Sequence, residues 1–488
     1  RGGGRGRQWS GMSVPPWIFS AALASSRPRV CVVGCGAGGL VAARVLRSVA
    51  HHLVVYEREL SLGGVWRPES AVLYSGLTTN LPRQIMGFRD VAFEGERSFV
   101  SAADVAHYLR KYAAHHKLED CIRFGCEVKA VERVQEDGRS IWRVHAGETC
   151  EEYDAVVVAN GHYNLPSYAH LPGADRFPNR VLHSSEYNVP EPFVDQTVLC
   201  IGARSSGTDI AREITQAGGK RTLTADRACR ATEIAPDNDR LLRTPPIAEL
   251  LPDGGVRFED GHVEPRVDVI IHCVGYDYDF PFLKKSGDSS EDARIDATQV
   301  SPESQPLQFE VGGRRVAPLF EHLFHADDPS LSFLGIPHSV VPFPLMEVQA
   351  TLVARVLTGD ATLPDASERR AWVEKYEAGL KRPKDAHHLG NAQWDYCRRL
   401  LALAGIEDSA WQTAISVNEA VYNHVGPLRP QFPGGPDSYR ELEYEVDHTM
   451  GRWRCVTDGS EGVIHATTAD IKGAGCKIAG DLATVHPQ

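Results

Sequence analysis

The 488-residue sequence predicts an α/β fold built around parallel sheets, and three observations carry that prediction. Short β-branched apolar runs alternate with helical stretches. Those runs are continuous rather than polar–apolar alternating, which is how strands buried on both faces read. One order of elements, strand, glycine-rich turn, helix, strand, occurs twice. At roughly 150 residues per domain the chain has room for two or three units. Apolar residues at 42% and charged residues at 24% are ordinary for a globular protein. Acidic residues outnumber basic ones, 64 to 52, for a net charge of −12, which argues against a nucleic-acid partner. No run of about 18 apolar residues occurs, so no transmembrane span is expected. The 11 cysteines are scattered, odd in number and without metal-ligand spacing, so a reducing compartment and no metal centre are expected.

Residues 1–28 read as a leader. Arginines recur there and the first carboxylate of the chain is Glu57. Either it is a disordered extension, with Met12 an alternative start, or it is an Arg- and Ser-rich organelle transit segment. The expected compartment is cytoplasmic in the first case and organellar in the second.

The first repeat of the pattern starts at Arg29. A strand over 29–33 leads into Gly34-Cys35-Gly36-Ala37-Gly38-Gly39, a helix over 40–50, and a strand over 53–56 ending at Glu57. The G-x-G-x-x-G register followed by an acid is the dinucleotide fingerprint. The first glycine permits the tight turn, the second lets backbone approach a pyrophosphate, and the third lets helix and strand pack closely. The helix N-terminus then offers N–H donors, and Glu57 accepts from a ribose hydroxyl.

In the second repeat, a strand over 197–201 precedes Gly202-Ala203-Arg204-Ser205-Ser206-Gly207, a helix through Gln216, and a strand over 221–225 ending in Asp226-Arg227. Arg204 stands where the second glycine would be. Its side chain either crowds a pyrophosphate or pairs with one. Arg227 is placed to meet a 2′-phosphate, which favours NADP over NAD. Two nucleotide sites on one chain point to a flavin that receives hydride from a nicotinamide.

Two more apolar runs, 153–159 and 267–274, suit the middle of parallel sheets. The polar stretch 284–310 reads as an exposed excursion. Residues 367–380 and 388–404 read as amphipathic helices. The expected organisation is a leader at 1–28, an FAD-binding domain at 29–165 that resumes at 281–445 with the C-terminal helices, and an NADP-binding domain at 166–280 inserted between them. The tail 446–488 has no assignable pattern.

Between the two loops lies Phe177-Pro178-Asn179-Arg180-Val181-Leu182-His183-Ser184-Ser185-Glu186-Tyr187. It resembles the F-x-G-x-x-x-H-x-x-x-(Y/F) motif of the flavin-containing monooxygenases, with Asn179 in place of glycine. Glu57-Arg58 with Gly63-Gly64-Val65-Trp66, Leu77–Arg83 with Met86 and Phe88, and His272–Tyr276 also resemble that family, the last with Val274 in place of threonine. The resemblance spans roughly 29–445 and is nearest the plant-type S-oxygenating branch. It implies that NADPH reduces FAD and that O2 adds at flavin C4a as a hydroperoxide. A thioether sulfur or amine nitrogen of a small substrate takes the distal oxygen, leaving a sulfoxide or N-oxide and water. It also implies that Asn80 is the catalytic amide at the flavin, with Arg58, Gly64, Trp66 and Thr79 near the same cofactor. His183 either orients its loop or is structural.

Three rivals accompany this reading. A flavin-binding protein without monooxygenase activity is motivated by Arg204, Asn179 and Val274. A Baeyer–Villiger ketone monooxygenase is disfavoured by Tyr187, where those enzymes usually carry tryptophan. A disulfide reductase is disfavoured because Cys121 and Cys126, though spaced C-x4-C, lie far from the Gly63–Pro68 turn. His322 and His325 are read as non-ligands.

Overall fold

The computed structural model describes residues 27–136, 138–283, 304–305, 308–430 and 432–464. Most of the leader, most of the polar stretch 284–310 and the tail beyond 464 lie outside the described residues.

β1 (Arg29–Val33), α1 (Ala37–Leu46) and β2 (His52–Tyr56) form the first repeat. β1 runs parallel to β2 on one side and to Ala155–Val158 on the other. A seven-stranded sheet grows from this centre, in the order Leu319–Phe320, Phe324–His325, Leu331–Phe333, Ala155–Val158, β1, β2, Ile122–Arg123. Successive residues of β1 enter opposite cores. Val30 and Val32 face one apolar cluster while Cys31 and Val33 face another, so both faces of the strand are buried and a continuous apolar run is required.

β3 (Thr197–Ile201), α2 (Ser205–Ala217) and β4 (Arg221–Ala225) form the second repeat. They belong to a six-stranded sheet ordered Glu233–Ala235, Asn238–Thr244, β4, β3, Val269–His272, Arg180–His183. The two-face arrangement recurs, with Val198 and Cys200 in one cluster and Leu199 and Ile201 in the other. Strands of the first sheet lie on both sides of this segment in the chain, so the second unit is inserted into the first. The two crossing points are tied together, because Leu165–Pro166 pairs antiparallel with Tyr276–Asp277.

Several elements differ from the sequence reading in a physically intelligible way. α1 begins at Ala37 rather than Leu40 because the two glycines of the turn are already helical. Residues 153–159 divide at Asp154, whose carboxylate accepts from the Arg29 N–H at 2.7 Å. Thr149–Tyr153 joins an antiparallel sheet with Val128–Glu136 and Arg139–Ala146, and only Ala155–Val158 is parallel. Helices form over Ala366–Ala378 and Gln393–Leu403. The unassigned tail supplies a three-stranded sheet, Tyr444–Asp447, Arg452–Cys455 and Glu461–Val463. Tyr444 and Cys455 of that sheet are buried in the main core. Among the described residues no helix is long and apolar enough to cross a membrane.

Candidate active site

The two glycine-rich loops have nearly the same backbone. Gly34 and Gly202 take φ of +99° and +107°, where L side chains are strained. The Gly34 N–H donates to the Tyr56 carbonyl at 2.8 Å, and the Gly202 N–H donates to that of Ala225 at 3.0 Å. A Cβ on Gly39 would stand 1.9 Å from the Gly34 carbonyl oxygen, and one on Gly207 would stand 1.8 Å from that of Gly202. Both third glycines are therefore needed to close the turn onto the helix.

The middle position separates them. Gly36 has φ −77° and ψ −168°, and Arg204 has φ −94° and ψ −169°. Both are extended and open to any residue, so Arg204 sits without backbone strain. Packing does not require glycine at 36 either, since a Cβ there would come no nearer than 3.5 Å to Gly64 Cα; the glycine that the close approach demands is Gly64. The Gly63–Gly64 turn lies against Gly36, with the Gly63 N–H donating to the Cys35 carbonyl at 2.9 Å, and a Cβ on Gly64 would lie 2.9 Å from Gly36 Cα. Arg204 is exposed, with room for a guanidinium.

The N-termini of α1 and α2 have no side-chain cap and no acidic residue in the first turn. By contrast, Ala102–His115, Ala366–Ala378 and Ser409–Val425 begin under Ser101, Asp365 and Asp408 caps. Uncapped N–H groups behind a glycine turn fit a pyrophosphate. The two acids differ. Glu57 is buried and accepts from the Cys35 N–H at 2.7 Å and the Glu59 N–H at 3.0 Å. Asp226 instead takes Nε and Nη2 of Arg243 at 2.9 and 2.6 Å, leaving its loop free of a carboxylate. Arg227 is exposed beside that pair. The Lys384 ammonium is held below its ordinary range, by desolvation first and then by Arg227 and Arg382.

Asn80 lies where the two units meet. Its Nδ2 donates to Ser205 Oγ, the first residue of α2, at 3.1 Å. Both line a cavity of about 420 Å3 with Ala203, Arg204, Tyr422 and Arg429. The loop carrying Asn80 is pinned on all sides. Thr79 is buried and exchanges hydrogen bonds with Val100, N–H to carbonyl at 2.9 Å and Val100 N–H to Thr79 Oγ1 at 3.0 Å. Arg440 Nε donates to the Thr79 carbonyl and Arg429 Nη2 to the Asn80 carbonyl, both at 3.1 Å.

The remaining expected residues separate by location. Gly64 packs on the first loop, and Trp66 is half-buried against the main core. Arg58 is exposed beside Asn164, and Ser206 is exposed at the start of α2. Cys35 is buried, and burial followed by the Glu57 charge raises its thiol well above the usual range, which makes it a packing residue. His183 is buried, with both ring nitrogens engaged inside the second unit. Its Nδ1 accepts from the Ser185 N–H at 3.1 Å and its Nε2 lies 3.1 Å from the Gly275 carbonyl. Tyr187 is in the core of the second unit, donating to Glu213 at 2.6 Å. Asn179 donates to the Val267 carbonyl at 2.7 Å and does not line the cavity. His322 Nδ1 lies 3.2 Å from His387 Nδ1, and His325 bonds to Gln308 and to the Asp327 and Asp328 N–H groups. The described cysteines are free thiols. Sequence reasoning missed Lys384, His388, Tyr422, Arg429 and Arg440, which come from elements far along the chain and carry no local motif.

Residues 27–230 match the family model "Flavin-binding monooxygenase-like". The Arabidopsis thaliana protein "Flavin-containing monooxygenase FMO GS-OX-like 4" is 35% identical over 462 residues, covering 87% of this chain and 95% of its own. A second Arabidopsis thaliana relative, "FMO GS-OX-like 2", is 37% identical over 424 residues, covering 77% of this chain and 85% of its own. Among solved structures, S-allyl-L-cysteine S-oxygenase from Allium sativum has a TM-score of 0.72 at 34% identity, covering 86% of this chain and 95% of its own.

Proposed function

This chain belongs to the flavin-containing monooxygenase family, and we propose that it binds FAD on the first loop and NADPH on the second. The substrate we assign is a small thioether, oxygenated at sulfur by O2, with an amine nitrogen as the lesser alternative. The observation that carries the reading is the 3.1 Å contact between Asn80 and Ser205, which sets a neutral amide and the opening of α2 on one cavity. Bound FAD, reduced by NADPH, supplies the oxygen activation, and the protein binds, orients and keeps water out.

The N–H groups that open α1 receive the FAD pyrophosphate. Glu57 keeps a lone pair on each oxygen for a ribose hydroxyl beside its two backbone donors. The N–H groups of Ser205–Gly207 and the Arg204 guanidinium receive the NADP pyrophosphate, while Arg227 and Lys384 face the 2′-phosphate. The Asn80 amide donates and accepts without titrating, so it holds an oxygen of changing protonation in one orientation. Tyr422 and Tyr439 line the cavity beside it and limit water. The thioether class is supported by the S-oxygenase relatives.

The test is to mix the yellow protein with NADPH without oxygen, then admit air and methyl phenyl sulfide. The reading expects bleaching, return of colour through a transient near-ultraviolet absorbance, and the sulfoxide as product. Colour that persists under NADPH contradicts it. Turnover of ketones and not thioethers contradicts the substrate class.

A further inference from the structure

We propose that Arg440 is a positioning residue for Asn80, clamping the loop that carries it against the helix that opens the second nucleotide site. The inference rests on the assignment of Asn80 above. Three segments far apart in sequence converge beneath the cavity: the Tyr74–Asn80 stretch, α2, and the chain from Arg429 to Arg440. Asp209, on α2, is at their centre. It accepts from both terminal nitrogens of Arg440 at 2.9 and 2.8 Å, from Arg212 at 2.9 Å and from the Tyr74 hydroxyl at 3.1 Å. Asp437 completes the set, 2.9 Å from Arg440 and 3.2 Å from Arg212. Asp209, Arg212, Arg440, Tyr74 and Thr79 are all more than nine-tenths buried. Two guanidinium and two carboxylate groups balance in charge.

A buried ion cluster of this kind adds little stability over apolar packing of equal volume, because desolvation offsets the attraction. Its distinguishing property is direction. A guanidinium is a rigid fork, so once the Asp209 carboxylate takes both terminal nitrogens, Arg440 Nε is aimed at the Thr79 carbonyl at 3.1 Å. Arg429, from the same C-terminal segment, takes the next carbonyl, that of Asn80. The peptide on each side of Asn80 is thus held, while its side chain is left to face Ser205. Asp209 is one turn into α2 from Ser205, so one carboxylate sets the spacing between the amide and the second loop.

The consequence is chemical. With Asn80 displaced, oxidation of NADPH diverts from sulfoxide formation to peroxide release, in which NADPH, H+ and O2 give NADP+ and H2O2. Positioning errors of this kind reach tenfold effects and more.

The test uses the full-length FAD-loaded protein with Arg440→Lys, which keeps the charge but loses the fork. Three quantities are read: FAD per chain, amide hydrogen exchange over residues 77–82, and sulfoxide formed per NADPH oxidised with methyl phenyl sulfide. The expected result is unchanged FAD content, faster exchange over 77–82, and about a tenfold fall in sulfoxide per NADPH with a matching rise in peroxide. Repeated in an Asn80→Ala background, Arg440→Lys should lower coupling no further, the signature of a residue acting through another. Asp209→Asn, which keeps the shape, serves if Arg440→Lys does not fold, with the same outcomes expected. Lower thermal stability with unchanged exchange and coupling overturns the proposal, as do effects that multiply with Asn80→Ala. If Asn80→Ala alone leaves coupling unchanged, the Asn80 assignment fails, while exchange over 77–82 still tests the clamp.

Discussion

At Gly36 and at Arg204 the chain adopts the same extended conformation, and the two loops share their turn glycine, their carbonyl partner and their third glycine. What surrounds them differs. The first loop is approached by a second glycine turn, Gly63–Gly64, and its acid, Glu57, bonds back to the loop N–H of Cys35. The second loop is open on that side, and its acid, Asp226, is turned away and neutralised by Arg243. One backbone solution thus serves two electrostatic tasks. On the proposed assignment the first unit presents a carboxylate to a neutral ribose, and the second presents Arg204 and Arg227 to phosphate, joined by Lys384 from the C-terminal part of the first unit.

The largest effects should come where the loops are alike. Gly39→Ala and Gly207→Ala each drive a methyl into a carbonyl oxygen, a clash costing more than about 4 kcal/mol if unrelieved. Gly39→Ala should purify without bound flavin. Gly207→Ala should keep its yellow colour and lose reduction by NADPH, and absorbance spectra of both decide whether the units are separable.

Next come the two acids, which sharpen the contrast. Glu57→Gln weakens charge-assisted bonds to two backbone N–H groups in a buried site, and about 2 kcal/mol of stability should be lost. Asp226→Asn disturbs a pair nearer the surface, whose side chains are 22% and 19% exposed, and should cost less, about 1 kcal/mol. Thermal unfolding of the two variants side by side would remove the contrast if the losses were equal.

Cofactor choice follows. Arg227→Gln should raise the Kd for NADP+ about tenfold and leave that for NAD+ nearly unchanged, since the loss is of one phosphate partner. Equal weakening of both would place Arg227 away from the 2′-phosphate. The smallest expected change is in the stability of Arg204→Gly, whose melting temperature should barely move because the backbone there needs no glycine, while NADP+ binding becomes less sensitive to salt.

Much of the scaffold was legible. Arg29–Val33, Thr197–Ile201 and Arg221–Ala225 emerge with the bounds read from the sequence, the first two as largely apolar runs and the third although it buries Thr222 and Thr224. The start of α1 was not legible, since Ala37-Gly38-Gly39 is helical against glycine's propensity, in order to pack on the turn. Tyr444–Val463 was illegible because its strands are short and half-exposed. Within the site, Asn80 was reached through resemblance alone. Arg429 and Arg440 lie 349 and 361 residues from the carbonyls they hold, and no local pattern marks an arginine whose partner is so distant. His183 and Tyr187, conspicuous as motif residues, are both buried inside the second unit.

On the proposed assignment, two like loops hold two different dinucleotides at once. Calorimetric titration of NADP+ into the FAD-loaded protein tests it directly. One NADP+ should bind per chain with no flavin released, and Gly207→Ala should abolish binding. No binding to the wild-type protein, or NADP+ that displaces FAD, would contradict it.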